Sequence, residues 1–366
     1  MRRFLSITAA GLVLIGGGYA GYAGIRSHRS VSVAPSGPFP VGRVTRQWVD
    51  RSRIDQFSRI GGTPRVLSAW IWFPAAPGTT GTASAYAPGA WQGLHKFGWA
   101  QTDFGDIQTG TVDDAPIAPG TFPIVVLMPG LGFAAPQYAT IAASLAARGY
   151  LVAGVTPTYS ANLTVLDGRP VTATAAGDPA SLDGPRADQL VAVWAADARF
   201  AAGQVAVEFP GHVDPAHVVY VGHSFGGAAS YEACRTDPAC AGAADLDGTP
   251  YGPVVRTGLT KPVLLLSSET NGAAGDPSAR ALFAASSGTT LAYTITGARH
   301  FDFTDYAAYY LAEPLRLTMP LGGIDGRRVL TITNGYLGAF LDRAARDTAW
   351  TEPTYPEVHA ADMRSR

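Results

Sequence analysis

Short runs of apolar and β-branched residues alternate along this chain with longer segments whose apolar residues recur at helical spacing. Runs typical of buried strands lie at residues 65–73, 122–128, 150–155, 218–221, 241–246, 261–267 and, as the last of them, 291–296. Patterns typical of helices lie at residues 138–148, 184–198, 225–235 and 335–346. Strands that alternate with helices predict a mostly parallel, doubly wound sheet with flanking helices, whose functional edge is at the carboxyl ends of the strands. We therefore predict a single domain of the α/β class.

One strand pattern runs directly into a motif that carries chemistry. The run at 218–221 ends in Gly-His-Ser-Phe-Gly at 222–226, and an Ala-rich stretch suited to a helix follows. This G-x-S-x-G spelling between a strand and a helix is typical of a nucleophile elbow, a strained turn that exposes a serine hydroxyl. The turn brings backbones too close for side chains at Gly222 and Gly226. Ser224 is therefore the predicted nucleophile.

Two backbone N–H groups are candidates for binding the oxyanion that such a serine would generate. Phe225 starts the helix after the serine, where its N–H and the positive end of the helix dipole point toward the oxyanion. The strand at 122–128 runs into Pro-Gly-Leu-Gly-Phe at 129–133, and Gly-x-Gly lets the backbone approach a substrate oxygen. We predict Leu131 as the second donor. His223, at the variable position of the elbow, is predicted to orient the turn and not to act as the base.

A serine nucleophile needs a base that takes its proton and an acid that holds the base in the right tautomer. His300 is the predicted base, because it follows the strand at 291–296 at the edge where Ser224 emerges. Several carboxylates satisfy the chain order of nucleophile, acid and base, and spacing alone does not choose among them. They are Asp245, Asp247, Glu269 and Asp276.

The N-terminus reads as an export or membrane signal. Residues 1–3 are Met-Arg-Arg, and Phe4 to Ile25 is a run of 22 residues without a charge. That length suits an uncleaved membrane anchor, while its glycines equally suit a signal peptide cut near residues 21–23. The rest of the chain is expected outside the cytoplasm, secreted or held at the cell membrane, unless an anchor inserts in the opposite sense.

Four segments are predicted along the 366 residues, which suffice for one large core and contain no internal repeat. They are a signal peptide or membrane anchor at 1–25, a flexible Ser-, Pro- and Gly-rich linker at 26–41, the α/β domain at 42–347 and a C-terminal tail at 348–366.

Composition narrows the classes of partner and cofactor. A net charge of -1 without a basic run gives no reason to expect nucleic acid. The two cysteines, Cys234 and Cys240, follow the helix after the serine, and outside the cytoplasm we predict a local disulfide between them. Two cysteines alone do not make a metal site, and no metal or organic cofactor is predicted. Lysine occurs at only two positions while arginine is common, which is typical of a G+C-rich bacterial source.

Three of these motifs together resemble the platelet-activating-factor acetylhydrolase family of α/β-hydrolases. They are Gly-His-Ser-Phe-Gly-Gly at 222–227, Asp-Leu-Asp-Gly at 245–248, and His300 followed by Phe-Thr-Asp at 303–305. The elbow is shared by many hydrolases, whereas the other two motifs are more specific.

The resemblance implies an α/β-hydrolase fold over about residues 60–345. It implies that the acid is Asp247, directly after the strand that follows the elbow strand, and that Leu131 and Phe225 supply the oxyanion N–H groups. The family often has a histidine before Gly-Leu-Gly, where this chain has Pro129.

The predicted function is that of a serine carboxylic-ester hydrolase acting through Ser224, His300 and Asp247 and an acyl-enzyme. The resemblance implies short acyl chains on a phospholipid or similar ester, so the expected partner is a small-molecule or lipid ester, with membrane contact through the N-terminal segment. Two alternatives stay open: a polyester or triglyceride esterase on the same triad, and a non-catalytic interaction protein that retains the fold. The oligomeric state does not follow from the sequence.

Overall fold

A central sheet organises the computed structural model, which describes residues 16–179 and 181–363. The strands in chain order are β1 (Val31–Ser32), β2 (Val41–Ile54), β3 (Pro64–Pro74), β4 (Ile107–Gln108), β5 (Thr111–Asp113), β6 (Phe122–Met128), β7 (Leu151–Thr156), β8 (Thr164–Leu166), β9 (Arg169–Val171), β10 (Val213–His223), β11 (Cys240–Leu246), β12 (Val263–Ser268), β13 (Thr290–Ile295) and β14 (Val358–Ala360). The helices are α1 at residues 16–27, α2 (Ala139–Ala147), α3 (Gly184–Glu208), α4 (Phe225–Thr236), α5 (Val254–Thr257), α6 (Pro277–Ala285), α7 (Glu313–Arg316) and α8 (Gly326–Arg346). Short 3₁₀ turns include Gly89–Leu94, Ala135–Tyr138, His300–Phe303 and Asp305–Ala307.

The central sheet has ten strands in the order β14-β13-β12-β11-β10-β6-β7-β3-β2-β5. The six strands from β13 to β7 are parallel to one another. β3 runs antiparallel to both of its neighbours, β7 and β2. The predicted mostly parallel, doubly wound sheet is therefore confirmed.

The prediction that the strand at 291–296 is the last one is wrong. β14 pairs antiparallel with β13 and extends the sheet beyond it. β14 has only three residues, two of which are exposed, so it carries no hydrophobic period that a sequence pattern could reveal.

Helices cover both faces of the sheet, and the parallel strands are consequently apolar on both sides. Along β6, Val125 and Leu127 face the cluster that contains α2 and α8. Ile124, Val126 and Met128 face the cluster that contains α3, α4 and α6. The uninterrupted apolar run in the sequence thus reflects burial between two helical layers.

Helix α3 begins directly after Asp183, which caps it. The Asp183 carboxylate accepts a hydrogen bond from the N–H of Arg186, and Pro185 lies in the first turn. Within the described part of the chain, α3 is the helix long and apolar enough to cross a membrane by those two criteria alone. Half of its most apolar window is buried, and Trp194 is fully enclosed in the core. Its hydrophobicity is accounted for by packing on the sheet.

The predicted membrane segment lies partly outside the described residues, which begin at residue 16. Residues 16–27 form α1, whose Ala23 and Ser27 are buried. The main-chain oxygen of Ser27 accepts a hydrogen bond from the N–H of Asp103. In the segment predicted to be a linker, β1 pairs with β4. The described part of the N-terminal segment therefore packs on the domain.

The predicted disulfide is confirmed. Cys234, near the end of α4, is bonded to Cys240, the first residue of β11, with the two Cα atoms 5.1 Å apart. The bond closes the turn between the helix that follows the candidate nucleophile and the next strand.

Candidate active site

The elbow between β10 and α4 holds Ser224 in a strained conformation. Its φ is 55° and its ψ is -125°, a region that residues with a side chain rarely adopt. A Cβ atom at Gly222 would lie 2.1 Å from the main chain of Gly226, and one at Gly226 would lie 2.3 Å from the main-chain oxygen of Pro129. The turn can form only because both positions lack a side chain.

Ser224, His300 and Asp247 form one hydrogen-bonded row at the carboxyl edge of the sheet. The Asp247 Oδ2 atom lies 2.6 Å from His300 Nδ1, and His300 Nε2 lies 3.0 Å from Ser224 Oγ. A carboxylate accepts, so Nδ1 carries the ring hydrogen and Nε2 is left to accept from the serine hydroxyl. The Asp247 side chain is fully buried and the His300 side chain is 30% exposed. The row therefore runs from a buried acid to an accessible hydroxyl.

The Asp247 carboxylate is held by groups that sequence reasoning did not single out. Its Oδ1 accepts from the N–H of Ser268 at 2.6 Å, and its Oδ2 also accepts from Asn271 Nδ2 at 2.7 Å. Ser268 is the last residue of β12, and Asn271 lies in the loop that follows it. No local pattern marks Asn271, because its partner lies 24 residues away, after β11.

The other candidate acids make different contacts. Asp245 is fully buried and accepts from the N–H of Gly248, and burial raises the pKa of its carboxyl group well above the ordinary value. Glu269 accepts from the N–H of Gly297. Asp276 caps α6. Among the described hydrogen bonds, the carboxylate that accepts from the His300 ring is that of Asp247.

The two predicted oxyanion donors lie on either side of the elbow. Phe225 is the first residue of α4, where an N–H has no acceptor within the helix. The Leu131 N–H has no acceptor among the described hydrogen bonds. A Cβ atom at Gly130 would lie 3.3 Å from the Cβ of Ser224, so the loop that carries Leu131 passes directly over the serine. Two unpaired donors near one hydroxyl can stabilise negative charge on a bound carbonyl oxygen.

Among the described hydrogen bonds, the rings of the remaining histidines do not contact Ser224 Oγ. His223 is buried beside the row and contacts the main chain of His300. The others lie elsewhere: His28 on Asp106, His217 on Asp214, His95 against the ring of Phe104, His359 on β14 and His212 before β10.

Aromatic side chains form a cluster beside the His300 end of the row. The ring centroids of Phe133 and Phe301 are 5.0 Å apart, and that of Tyr306 lies 6.1 Å from Phe301. Phe97 joins the cluster through Tyr306 at 6.5 Å. Phe97, Phe133 and Phe301 are only partly buried. This aromatic cluster comes from separate loops, so periodicity does not reveal it.

The Phe-Thr-Asp part of the histidine motif has a structural role. Asp305 is fully buried and accepts hydrogen bonds from the first N–H groups of α2, those of Ala139 and Thr140, and from the Tyr86 hydroxyl. Burial raises the pKa of the Asp305 carboxyl group to about 7. Asp305 thus fastens the loop that carries His300 to the start of α2.

Metal ligands are not assembled here: the residues that the structure describes contain no group of three or more His, Cys, Asp or Glu side chains able to hold an ion.

Comparisons with known proteins show similarity to esterases. Residues 198–350, which include all three members of the row, match the family model for platelet-activating factor acetylhydrolase, isoform II. A ferulic acid esterase from Streptomyces cinnamoneus has a similar structure, with a TM-score of 0.78 and 28% sequence identity over 90% of this chain and 99% of that one. No curated protein matches the chain in sequence. The family model and the similar structure both indicate a carboxylic ester hydrolase, and the resemblance inferred from the motifs is confirmed. The chain therefore has the α/β-hydrolase fold and is similar to carboxylic ester hydrolases, and over residues 198–350 to the platelet-activating-factor acetylhydrolase family.

Proposed function

We propose that this chain is a serine carboxylic-ester hydrolase that works through an acyl-enzyme on Ser224. The observation that carries the proposal is the hydrogen-bonded row from Asp247 through His300 to Ser224, at a strained elbow on the carboxyl edge of the sheet. A buried structural cluster would not need an accessible hydroxyl in an unfavourable backbone conformation. This arrangement argues against the non-catalytic alternative.

In the proposed mechanism, Ser224, His300 and Asp247 act in both half-reactions. His300 Nε2 takes the proton of Ser224 as Oγ attacks the ester carbonyl carbon, and the N–H groups of Leu131 and Phe225 stabilise the oxyanion. His300 then protonates the leaving alcohol, and the acyl group stays on the serine. A water molecule that gives its proton to His300 attacks the acyl carbonyl, and His300 then returns that proton to Ser224 Oγ as the bond to the serine breaks and the acid is released. Asp247 keeps the imidazole in the required tautomer and stabilises it when it is charged.

The proposed substrates are esters with a short acyl group, including acetylated phospholipids. The match to the acetylhydrolase family model over the residues of the row supports this choice. An N-terminal segment suited to a membrane would place the enzyme close to lipid substrates. The alternative substrates for the same triad are polyesters and triglycerides.

A second candidate is an ester whose acid part is aromatic. The similar structure is that of a ferulic acid esterase. In the aromatic cluster beside His300, Phe97, Phe133 and Phe301 are only partly buried, and aromatic rings pair favourably in offset or edge-to-face contacts. This candidate predicts preference for a phenolic acyl group over a short aliphatic one.

The test compares the full-length wild type with Ser224→Ala, Asp247→Asn and Glu269→Gln. We expect kcat to fall on the order of 10⁶-fold without the nucleophile and roughly 10⁴-fold when the acid can no longer hold the imidazole tautomer. Glu269→Gln is the matched control, because Glu269 is an exposed carboxylate in the same region that does not touch His300. Labelling of Ser224 by a fluorophosphonate provides a readout that does not depend on the substrate.

The substrate panel contains p-nitrophenyl acetate, butyrate and octanoate, an acetylated phosphatidylcholine, a triglyceride, a polyester film and methyl ferulate. Rates that fall as the acyl chain lengthens, with hydrolysis of the phospholipid acetate, would support the first candidate. Faster turnover of methyl ferulate would support the second. A wild type that neither hydrolyses any ester nor reacts with the fluorophosphonate would refute the enzyme proposal, and activity in Asp247→Asn with loss in Glu269→Gln would refute the proposed acid.

A further inference from the structure

A single chain of hydrogen bonds connects three parts of the candidate site, each at or next to a functional group. Gly130 precedes Leu131 in the loop after β6, and its N–H is the first donor of the chain. His223 precedes Ser224 at the end of β10 and accepts within the chain. His300 contributes its main-chain oxygen at the other end. These contacts are separate from the row that joins the side chains of the triad.

The protonation of His223 follows from its partners. Its Nε2 lies 2.9 Å from the main-chain oxygen of His300, and because a carbonyl oxygen only accepts, Nε2 carries the hydrogen. The ring is fully buried, and burial together with the neighbouring His300 lowers the pKa of His223 well below its ordinary value. The ring is therefore neutral, and Nδ1 is an acceptor.

Tyr138 connects this acceptor to the oxyanion loop. Its hydroxyl oxygen lies 2.8 Å from His223 Nδ1, to which it donates, and 2.9 Å from the N–H of Gly130, from which it accepts. Burial raises the pKa of Tyr138, so the hydroxyl keeps its hydrogen. Every polar group from the Gly130 N–H to the His300 carbonyl thus has a partner, which buried polar groups require.

The groups that make these hydrogen bonds are tightly packed, which leaves little room for them to take other positions. A Cβ atom at Gly130 would lie 3.0 Å from His223 Nδ1 and 3.4 Å from the Tyr138 hydroxyl. The ring of Phe133 packs edge-on against His223 with 6.2 Å between centroids. Because the Gly130 N–H is occupied by Tyr138, the loop presents its next N–H, that of Leu131, without a protein acceptor among the described hydrogen bonds.

We propose that Tyr138 and His223 are positioning residues that hold the oxyanion loop and the His300 main chain in register with Ser224. The inference rests on the proposed esterase function, and neither residue is assigned a contact with substrate. Loss of the Tyr138 hydroxyl frees the Gly130 N–H, leaves His223 Nδ1 unpaired and lets the loop shift relative to the serine. Shifts of about 1 Å in such groups lower rates on the order of a hundredfold.

The test measures kcat and KM separately in full-length Tyr138→Phe, His223→Leu, His223→Gln and the double variant Tyr138→Phe/His223→Leu. We expect kcat to fall roughly ten- to a hundredfold in the first two with KM changed less than about threefold, because transition-state contacts are misplaced. Glutamine has both an N–H donor and an oxygen acceptor, so His223→Gln should recover most of the loss. The kcat of the double variant should fall no further than that of the worse single variant, because both changes break the same series of hydrogen bonds.

Tyr150→Phe is the control for a purely structural effect. The Tyr150 hydroxyl donates to Asp342, on α8 and outside the candidate site, so this variant also loses a partly buried hydrogen bond. It should lower the melting temperature about as much as Tyr138→Phe does and leave kcat unchanged. Equal kcat in Tyr138→Phe and Tyr150→Phe would overturn the positioning role while leaving the esterase proposal intact.

A second measurement does not depend on turnover. Imidazole ¹⁵N chemical shifts of selectively labelled protein should show His223 as the neutral Nε2–H tautomer, with its Nδ1 signal changed in Tyr138→Phe. An Nδ1–H tautomer or a charged ring would overturn the hydrogen-bonded chain even in a protein that proved inactive on every ester.

Discussion

At the scale of single residues, the candidate site depends on backbones held in conformations that the residue alone would avoid. Ser224 and Asp247 have φ values of 55° and 62°, in a region that costs on the order of 1–3 kcal/mol for a residue with a side chain. The N–H of Ser224 donates to the main-chain oxygen of Leu246 on β11, and the N–H of Asp247 donates to that of Leu266 on β12. Both distances are 2.8 Å. The neighbouring strands therefore hold the nucleophile and the acid in place.

Close approach at the elbow leads to a prediction for Gly226. Gly226→Ala places a methyl group within 2.4 Å of the main-chain oxygens of Met128 and Pro129, so the oxyanion loop must move. We expect the free energy of unfolding to fall by about 1–3 kcal/mol and kcat to fall on the order of a hundredfold. Urea denaturation and ester kinetics measure the two effects. Gly323→Ala is the control, since nothing lies within 4 Å of its added methyl group; similar losses in both variants would contradict the steric argument.

At the scale of elements, Asp305 joins the histidine loop to the start of α2. Its carboxylate satisfies N–H groups of the first turn that would otherwise lack acceptors. That contact holds the 3₁₀ turn at His300–Phe303, the base and the helix as one unit. This contact between Asp305 and α2 also depends on pH, because the carboxyl group of Asp305 is fully buried.

The stability of this joint should depend on pH with a defined sign. Since burial raises the pKa of Asp305 from 3.8 to about 7, the native state binds the proton more tightly than the unfolded chain does. The stabilisation that protonated Asp305 gives the native state is therefore fully present below about pH 4. As the pH rises to about 7 it is lost, and the free energy of unfolding falls by at most about 1.4 kcal/mol per pH unit. Asp305→Asn removes this titration, so its stability relative to the wild type should increase from pH 5 to pH 8.

Urea denaturation of both proteins at pH 5, 6.5 and 8 measures the difference. Asp325→Asn, at the exposed cap of α8, tests whether loss of any helix cap gives the same profile. Parallel curves for wild type and Asp305→Asn would contradict the assignment.

The disulfide also acts between elements, at the end of α4 remote from the serine. Replacing Cys234 and Cys240 by serine should lower the free energy of unfolding by about 2 kcal/mol, as expected for release of a short loop. The rate of ester hydrolysis should be unchanged, because about 15 Å of helix separates Cys234 from Ser224. Calorimetry with and without a reductant provides the check: reduced wild type should match the double variant, and loss of activity in either would contradict this reasoning.

At the scale of the whole molecule, we propose that the domain acts outside the cytoplasm, secreted or held at the membrane by its N-terminal segment. The triad and the hydrogen bonds that position the oxyanion loop involve residues between 130 and 300. Deleting residues 1–29 should therefore leave kcat/KM within about twofold while releasing the protein from the membrane fraction. Fractionation, protease accessibility in intact cells and mass spectrometry of the mature N-terminus test this. Full-length protein protected from external protease would contradict the proposed location.

Much of the architecture follows from local patterns in the sequence. The buried strands β6, β7, β10, β11, β12 and β13 lie within a few residues of their apolar runs, because enclosure between two helical layers leaves a continuous hydrophobic signal. The elbow can be predicted from the sequence because main-chain atoms pass so close to Gly222 and Gly226 that neither position can carry a side chain. Asp183 likewise marks the start of α3 through a contact three residues away.

Other features were decided only in three dimensions, because their partners are far apart in the chain. β14 is too short to carry a period, and much of the long strand β2 is too polar, with seven exposed residues among its 14. Four carboxylates satisfied the chain order of a triad, and the contact of Asp247 with His300, across 53 residues, distinguishes it from the others. The bridge from Tyr138 to His223 spans 85 residues. Periodicity and turn chemistry act over a few residues and so determine elements, whereas the meeting of side chains at the sheet edge depends on the order and register of the strands.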